Sequence, residues 1–125
     1  MPLESNSGSY AMASDELLLE LAEEGICAIR FYTWSEPTVS LGYFQSASLL
    51  ANSKELKTLP WVRRATGGEA LVHHHELTYA LGLPLIIAGQ KSTLWQEKMH
   101  LIIQKSLLLL GVSLPEINLP ELRND

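Results

Sequence analysis

The stretch from Trp61 to Pro84 combines residue types that could do chemistry within a span that one ligand could cover. It holds two adjacent arginines, a Gly-Gly turn and three consecutive histidines, followed by an apolar run. A guanidinium presents fixed donors that match phosphate or carboxylate oxygens, and paired glycines let a ligand approach the backbone closely. The pattern therefore indicates an anion cradle at Gly67-Gly68, while an ordinary β-turn with solvated arginines stays an open alternative.

The arginines and histidines of this stretch do not act as simple clusters. If Arg63 and Arg64 lie on a strand, they point to opposite sides, so at most one of them faces a ligand. The same alternation turns the middle ring of His73, His74 and His75 away from its neighbours, and a single cysteine cannot complete a metal site. We therefore predict no metal. Two interpretations stay open: one histidine acts as a hydrogen-bond donor, or one histidine is packed and the other two are solvated.

The composition limits the classes of protein to which this chain can belong. With 125 residues and 46% hydrophobic positions, the chain can fold as one domain. Its 14 acidic and 9 basic residues give a net charge of −5, which opposes binding to nucleic acid. The single cysteine, Cys27, begins an apolar strand and is predicted to be structural, and a reducing, cytoplasmic location is expected. The sequence predicts neither a secretion signal nor a membrane-spanning segment.

Hydrophobic periodicity predicts two long helices with several short strands between them. Residues 1–11 are polar and predicted to be mobile, and residues 12–125 are predicted to form the domain. The predicted helices are Met12–Glu24, Ser46–Ala51 and Thr93–Leu110, with Gly25 and Gly111 as C-terminal caps of the two long ones. The predicted strands are Ile26–Trp34, Thr38–Leu41, Trp61–Arg64, Ala70–His73 and Leu77–Leu83, with a hairpin joining the first two and the last largely buried. This order predicts an α+β fold with helices packed on a mainly antiparallel or mixed sheet.

The central stretch also contains longer motifs that are shared with a known family. Arg63-Arg64-Ala65-Thr66-Gly67-Gly68 is followed by His73 and then by Glu76-Leu77-Thr78-Tyr79. Upstream, AMASDELLL is similar to the first helix of that family, and FYTWSEPTVSLGYFQ contains a tryptophan-x-x-proline, a serine-leucine-glycine and a glutamine. In these motifs the chain resembles the N-terminal half of the lipoate-protein ligase and octanoyltransferase family, which is related to biotin protein ligases. The resemblance runs from about Met12 to Leu110 and implies a partial lipoate/biotin protein ligase-like catalytic domain.

The resemblance implies a function and a set of site residues. Members of this family attach lipoyl or octanoyl groups through an amide to a lysine of a small carrier domain, and they hold the acyl chain in a tunnel. The ligases use ATP with lipoate or octanoate as substrates, the transferases take octanoate from an acyl carrier or a lipoylated protein, and no covalently bound cofactor is expected. The residues implied for the acyl or acyl-adenylate pocket are Arg64, Thr66, Gly67, Gly68 and His73, with Tyr79 and Leu81 on a neighbouring strand.

The chain also departs from the family pattern, most of all because it is much shorter than the family's domain. The family lysine, expected in a lysine-x-x-glycine-like motif, is absent, so the resemblance implies no catalytic residue here and no activity of the chain alone. A separate C-terminal half or a dimer partner would supply the rest. The alternative is a truncated paralogue that binds an acyl group or a partner without catalysis. The sequence leaves open whether the acyl group is lipoate or octanoate, whether ATP is used, and what the oligomeric state is.

Overall fold

The computed structural model describes residues 3–89 and 92–114. The chain divides into two compact units, one up to Leu85 and one from Ile86 onward. The strands are β1 (Glu4–Asn6), β2 (Ala28–Trp34), β3 (Thr38–Leu41), β4 (Trp61–Arg63), β5 (Leu71–His73) and β6 (Thr78–Gly82). The helices are α1 (Gly8–Glu23), α2 (Ser48–Ala51), α3 (Leu85–Ala88) and α4 (Ser92–Leu109), with a 3-10 turn at Leu56–Thr58.

The first helix starts earlier than its hydrophobic pattern predicts. Helix α1 begins at Gly8 rather than at Met12, because the Ser7 side chain accepts a hydrogen bond from the backbone N–H of Tyr10 and caps the first turn. Just beyond its other end, Gly25 has a φ of 85°, as expected of a residue that terminates a helix. Upstream of the helix, β1 pairs in parallel with β2. The predicted mobility of residues 1–11 concerns motion and stays a prediction.

The first sheet has the strand order β1-β2-β6, with β2 parallel to β1 and antiparallel to β6. Helix α1 packs on this sheet. Arg30 of β2 reaches the helix and donates to the carboxylate of Asp15 at 2.6 Å, and the Tyr32 hydroxyl donates to the other oxygen of that carboxylate. Tyr32 also packs with Ala11 and Trp34 in the core. These contacts fix Trp34, which reaches towards the candidate site.

The opposite face of this sheet is apolar and exposed. The strand register brings Ile29 beside Leu81 and Phe31 beside Tyr79, and successive alternation puts all four on one face. Ile29 and Phe31 are each 46% exposed. Strand β6 is half-buried over most of its length, so the prediction that it is largely buried was wrong. An apolar run indicates a strand, but it does not tell how many of its faces are covered.

The second sheet has the strand order β4-β3-β5, with β3 parallel to β4 and antiparallel to β5. All four residues of β3 are buried, and Val39 and Leu41 form a core with Leu50 of α2. The predicted hairpin of the second and third strands was wrong, because β2 and β3 belong to different sheets. A central strand uses both of its edges for ladders, and β4 and β5 occupy both edges of β3. The two small mixed sheets with helices confirm the predicted α+β class.

The second unit contains the long helix α4. Its bounds, Ser92–Leu109, agree with the predicted helix to within one residue at each end. Gly111 follows with a φ of 80°, and its N–H donates to the carbonyl of Leu108, as expected of the predicted cap. In the described part of the chain, no helix is both long enough and apolar enough to cross a membrane.

Candidate functional site

A tight bend between β4 and β5, residues 64–69, is held closed by the side chain of its first residue. The Nη2 of Arg64 donates to the carbonyl oxygens of Gly67 and Glu69, at 3.1 and 2.8 Å. Its Nη1 donates to the carbonyl and the hydroxyl oxygen of Ser40 on β3, at 2.8 and 2.7 Å. Both terminal nitrogens are therefore used within the protein. The guanidinium ties this Gly-Gly bend to a buried central strand.

The backbone around the Gly-Gly bend is packed so closely that it requires glycine. Gly68 has a φ of 98°, in the left-handed region that favours glycine. Gly42 directly follows β3, and a Cβ at this position would lie only 2.0 Å from the carbonyl oxygen of Gly68. The N–H of Tyr43 donates to the carbonyl of Thr66 at 2.9 Å. The bend is thus seated on the backbone that leaves β3.

Three successive backbone donors of the bend have no acceptor within the described part of the chain. The N–H groups of Gly67, Gly68 and Glu69 make no hydrogen bond to any residue of 3–89 or 92–114. All three residues are exposed. Successive unpaired N–H groups in a turn form a concave donor surface that attracts anions and carbonyl oxygens. The bend can therefore offer backbone donors to the head group of a ligand.

The neighbouring arginine has a different role. The Nη1 of Arg63 donates to the carbonyls of Gly42 and Tyr43, each at 3.1 Å, and also to that of Gln45. The two arginines therefore contact different segments, as the alternation of a strand predicts. Arg63 holds the loop after β3, and Arg64 holds the bend.

A chain of hydrogen bonds continues from Arg64 into the body of the protein. The Ser40 hydroxyl oxygen lies 2.7 Å from His73 Nε2, and His73 Nδ1 bonds to a carboxylate oxygen of Glu76. The other carboxylate oxygen of Glu76 accepts from the N–H of His74 at 2.8 Å. Ser40 is fully buried and His73 is 8% exposed. A serine that is buried and already accepts from a guanidinium cannot act as a nucleophile, although the order of groups is that of a Ser-His-acid triad.

Burial and hydrogen bonds shift the pKa values of two groups at this site, Glu76 and Arg64. Partial burial alone would raise the pKa of Glu76, but hydrogen bonds from the backbone N–H groups of His74 and of Glu76 itself, and from His73, outweigh it and lower that pKa. The carboxylate is therefore ionised near neutral pH. Burial lowers the pKa of Arg64, which stays far above neutrality because a guanidinium is not deprotonated in proteins.

An aromatic contact fixes the plane of the buried histidine. The rings of Trp34 and His73 stack with centroids 4.1 Å apart and an angle of 10° between their planes. The indole Nε1 of Trp34 donates to the hydroxyl of Thr78 at 2.9 Å. Trp34 and Thr78 belong to the first sheet and His73 to the second, so this contact joins the two sheets.

A shallow cavity of about 300 Å³, largely open to solvent, lies beside His73. This volume is at the small end of the range of about 300–1,000 Å³ that is usual for ligand pockets. Of the residues predicted to line an acyl pocket, His73 and Tyr79 line the cavity. Arg64, Thr66, Gly67 and Gly68 belong to the bend, and Leu81 lies further along β6. The other lining residues are Leu71, Val72, Glu76, Leu77 and Thr78.

The three histidines differ in burial. His73 is packed and hydrogen-bonded, whereas His74 and His75 are exposed and their ring centroids lie 3.5 Å apart. The interpretation with one packed and two solvated histidines is confirmed. Cys27 is exposed and lies just before β2.

The sequence did not single out Ser40 as a functional candidate. A signal was available, because a serine within a fully buried strand needs a hydrogen-bond partner. Its partners, Arg64 and His73, lie 24 and 33 residues away along the chain, so the sequence could not name them. Ser40 and Glu76 both belong to motifs shared with the family, and only the fold shows that their side chains meet His73.

The fold defines the class of the protein as a lipoate ligase-like α+β domain. A solved structure from T. acidophilum described as a "putative lipoate protein ligase" matches this chain with a TM-score of 0.52 and 27% identity. The match covers 63% of this chain and 35% of that one. The predicted fold is confirmed for the part that is matched.

Sequence comparison gives the family. The family model "Lipoyl protein ligase A/B catalytic domain" matches residues 7–125, so the chain belongs to this family and the predicted resemblance is confirmed. An octanoyltransferase LipM of Brevibacillus brevis is 46% identical over 82 residues, which are 62% of this chain and 30% of that protein. The octanoyltransferase LipM of Staphylococcus epidermidis is 38% identical over 111 residues, 82% of this chain and 40% of that protein. The chain thus spans 30 to 40% of the length of these curated relatives.

Proposed function

We propose that this chain carries the acyl-binding part of an enzyme that attaches octanoyl or lipoyl groups to a lysine of a carrier domain. Membership of the lipoyl protein ligase A/B family and similarity to octanoyltransferases support the reaction class. One structural observation carries the proposal for the site. The Gly-Gly bend, whose N–H groups find no acceptor among the residues that the structure describes, is joined through Arg64, Ser40 and His73 to the wall of an apolar cavity.

The proposed role of the bend is to hold the head of the acyl group. The N–H groups of Gly67 and Gly68 and the hydroxyl of Thr66 donate to the acyl carbonyl oxygen, or to the phosphate of an adenylate. When a nucleophile attacks the carbonyl carbon, negative charge develops on that oxygen, and fixed donors stabilise it more than they stabilise the ground state. Arg64 contributes its positive charge from behind the bend, because its terminal nitrogens are used by the protein.

The proposed role of the cavity is to hold the start of the aliphatic chain. Leu71, Leu77 and Tyr79 give it an apolar wall, and His73 and Glu76 form its polar end. Each methylene that leaves water contributes about 0.8 kcal/mol to binding. Leu81 would extend the wall along the exposed face of β6, as the next residue on the same side of the strand.

We also propose that transfer of the acyl group to the carrier lysine needs residues outside this sequence. None of the five lysines, Lys54, Lys57, Lys91, Lys98 and Lys105, lies in a lysine-x-x-glycine motif, and the chain spans 30 to 40% of its relatives. The partners that follow are an acyl carrier or lipoyl-accepting carrier domain and a polypeptide that supplies the missing groups, either a C-terminal half or a second copy. Octanoyl transfer without ATP is the favoured reaction, because the matched curated relatives are octanoyltransferases.

The experiment measures acylation of an apo carrier domain by mass spectrometry. The chain is tested at its full encoded length together with a matching C-terminal segment that supplies the missing groups. One arm contains octanoyl-acyl carrier protein, and the other contains ATP plus lipoate or octanoate. Transfer of octanoate from the carrier protein without ATP is the expected result. Acylation only in the ATP arm would make the protein a ligase. Absence of acylation in both arms, together with no binding of octanoate in calorimetry, would reject the proposal.

Octanoate binding without acylation would favour the second candidate, a non-catalytic acyl-binding paralogue. The exposed apolar face around Phe31 and Tyr79 is the observation that keeps this candidate open, since such faces are commonly covered by a partner. Addition of a carrier domain would then change the octanoate affinity without consuming the donor.

A further inference from the structure

The hydrogen-bond chain behind the Gly-Gly bend runs in one direction only. A guanidinium donates and never accepts, so the Ser40 hydroxyl oxygen accepts from Arg64. Within the described residues the only other side-chain partner of that hydroxyl is His73 Nε2, and Ser40 is fully buried. If Nε2 carried a proton, the serine hydrogen would have no acceptor in a dry environment. The hydroxyl therefore donates to an unprotonated Nε2.

The other end of the imidazole completes this order. With Nε2 unprotonated, the neutral ring carries its hydrogen on Nδ1, which donates to the ionised carboxylate of Glu76. The second carboxylate oxygen is fixed by the N–H of His74. Stacking on Trp34 leaves the ring plane no freedom to turn. Each hydrogen that links Arg64, Ser40, His73 and Glu76 to one another thus has an acceptor.

From this order we propose that Ser40 and Glu76 are positioning residues, which act through His73 and Arg64 to hold the Gly-Gly bend in its ligand-binding shape. Ser40 accepts two bonds from one arm of the guanidinium, through its carbonyl and its hydroxyl. Once that arm is fixed, the other arm can only point at the carbonyls of Gly67 and Glu69. Glu76 lies at the cavity and sets the tautomer that lets Ser40 keep this orientation.

This inference rests on the proposed function only for the identity of the ligand that the bend binds. How the bend is held does not depend on that function. The first measurement therefore needs no ligand. Nitrogen NMR of the ¹⁵N-labelled protein at its full encoded length identifies which ring nitrogen of His73 carries the proton. The expected result is a neutral ring protonated at Nδ1. A ring that is protonated at Nε2 instead would overturn the proposal.

The second measurement follows the bend itself after a change at the exposed end of the chain. Glu76→Ala removes the acceptor of His73 at a side chain that is 42% exposed, so the fold should tolerate it. We expect the amide resonances of Gly67 and Gly68 to shift, while those of Gly25 and Gly111 stay unchanged. Glu76→Gln, which keeps an acceptor oxygen, should restore most of the original spectrum. Unchanged Gly67 and Gly68 resonances in Glu76→Ala would contradict the proposal.

The third measurement connects the bend to acyl transfer. Since a displacement of about 1 Å in an active site can cost about a hundredfold in rate, Glu76→Ala should lower kcat for octanoyl transfer by tenfold or more. Ser9→Ala, a change at an exposed serine of α1, is the matched control and should keep the original kcat. Full kcat in Glu76→Ala would overturn the positioning role in catalysis. If the unsubstituted protein binds no octanoate, the proposed function fails. The protonated ring nitrogen of His73 and the amide resonances of Gly67 and Gly68 still decide in that case how the bend is held.

Discussion

Gly42→Ala places a methyl group directly against the Gly-Gly bend. A Cβ at this position would lie 2.0 Å from the carbonyl oxygen of Gly68, whereas ordinary contact begins at 3.4 Å. The carbonyl must therefore move by roughly 1.4 Å, the difference between the two distances. The opposing atoms belong to the backbone, so no flexible side chain can turn aside to make room.

The expected effects of Gly42→Ala follow from the size of this movement. Forcing an extra methyl into a packed site costs about 1–3 kcal/mol, so the free energy of unfolding should fall by about that amount. The movement also pulls the carbonyls of Gly67 and Glu69 out of line with Arg64. Because a 1 Å displacement in an active site costs about a hundredfold, kcat/KM for octanoyl transfer should fall by about two orders of magnitude.

Gly25→Ala is the matched control for the loss of stability. Gly25 has a φ of 85°, and among residues 3–89 and 92–114 no atom lies within 4 Å of the added Cβ. Alanine there therefore introduces backbone strain at the end of α1 without a clash against these residues. Left-handed strain in an L-residue costs about 1–2 kcal/mol. Urea unfolding followed by tryptophan fluorescence measures stability, and octanoylation of the carrier domain measures activity. Both variants should lose stability, and only Gly42→Ala should lose activity beyond its unfolded fraction.

Two results would refute this reasoning. If Gly42→Ala unfolded at the same urea concentration as the original protein, the close approach of Gly42 to Gly68 would not exist in solution. If it lost stability but transferred octanoate as well as Gly25→Ala, the bend would be a structural turn and the solvated β-turn interpretation would be favoured.

Three further experiments each test a single side-chain contact. Asp15→Ala leaves Arg30 without its carboxylate and should lower the free energy of unfolding by about 1.5–3 kcal/mol, measured by urea titration. Because the pKa of Glu76 is lowered in the folded protein, its ionised form stabilises the fold above about pH 4.5, and this contribution is lost as the pH falls through the lowered value. Stability should therefore fall more steeply on acidification in the original protein than in Glu76→Gln, and parallel pH curves would contradict this. Trp34→Phe removes the hydrogen bond to Thr78 and should lower the free energy of unfolding by about 1 kcal/mol, measured by thermal unfolding. An unchanged free energy of unfolding would mean that this hydrogen bond makes no net contribution in the original protein.

The local sequence was sufficient for most elements of the fold. Thr38–Leu41 forms the predicted strand, and the long C-terminal helix agrees with its prediction to within one residue at each end. Both depend on interactions between near neighbours, which periodicity and capping residues reveal. The start of α1 was missed by four residues, because the apolar stripe begins later than the turn that Ser7 caps.

Strand pairing was not accessible in the same way. The short link Ser35-Glu36-Pro37 suggests a hairpin, yet the chain passes from one sheet to the other at this point. A link of two or three residues can join two strands of one hairpin or two strands of different sheets. Which of these forms depends on the partners that bury the second strand. Val39 and Leu41 gain burial on both sides by lying between β4 and β5, which no local signal encodes.

The sequence by itself determined the α+β class, the family motif and the residues of the Gly-Gly bend, because these are properties of contiguous segments. Only the tertiary structure decided that both terminal nitrogens of Arg64 donate to groups of the protein. It alone also joins Ser40, His73 and Glu76 to Arg64 in one chain of hydrogen bonds. Those groups come together because β3 lies between β4 and β5. A hydrogen bond needs donor and acceptor within about 3 Å, and for residues 24 to 33 positions apart only the folded sheet sets that distance.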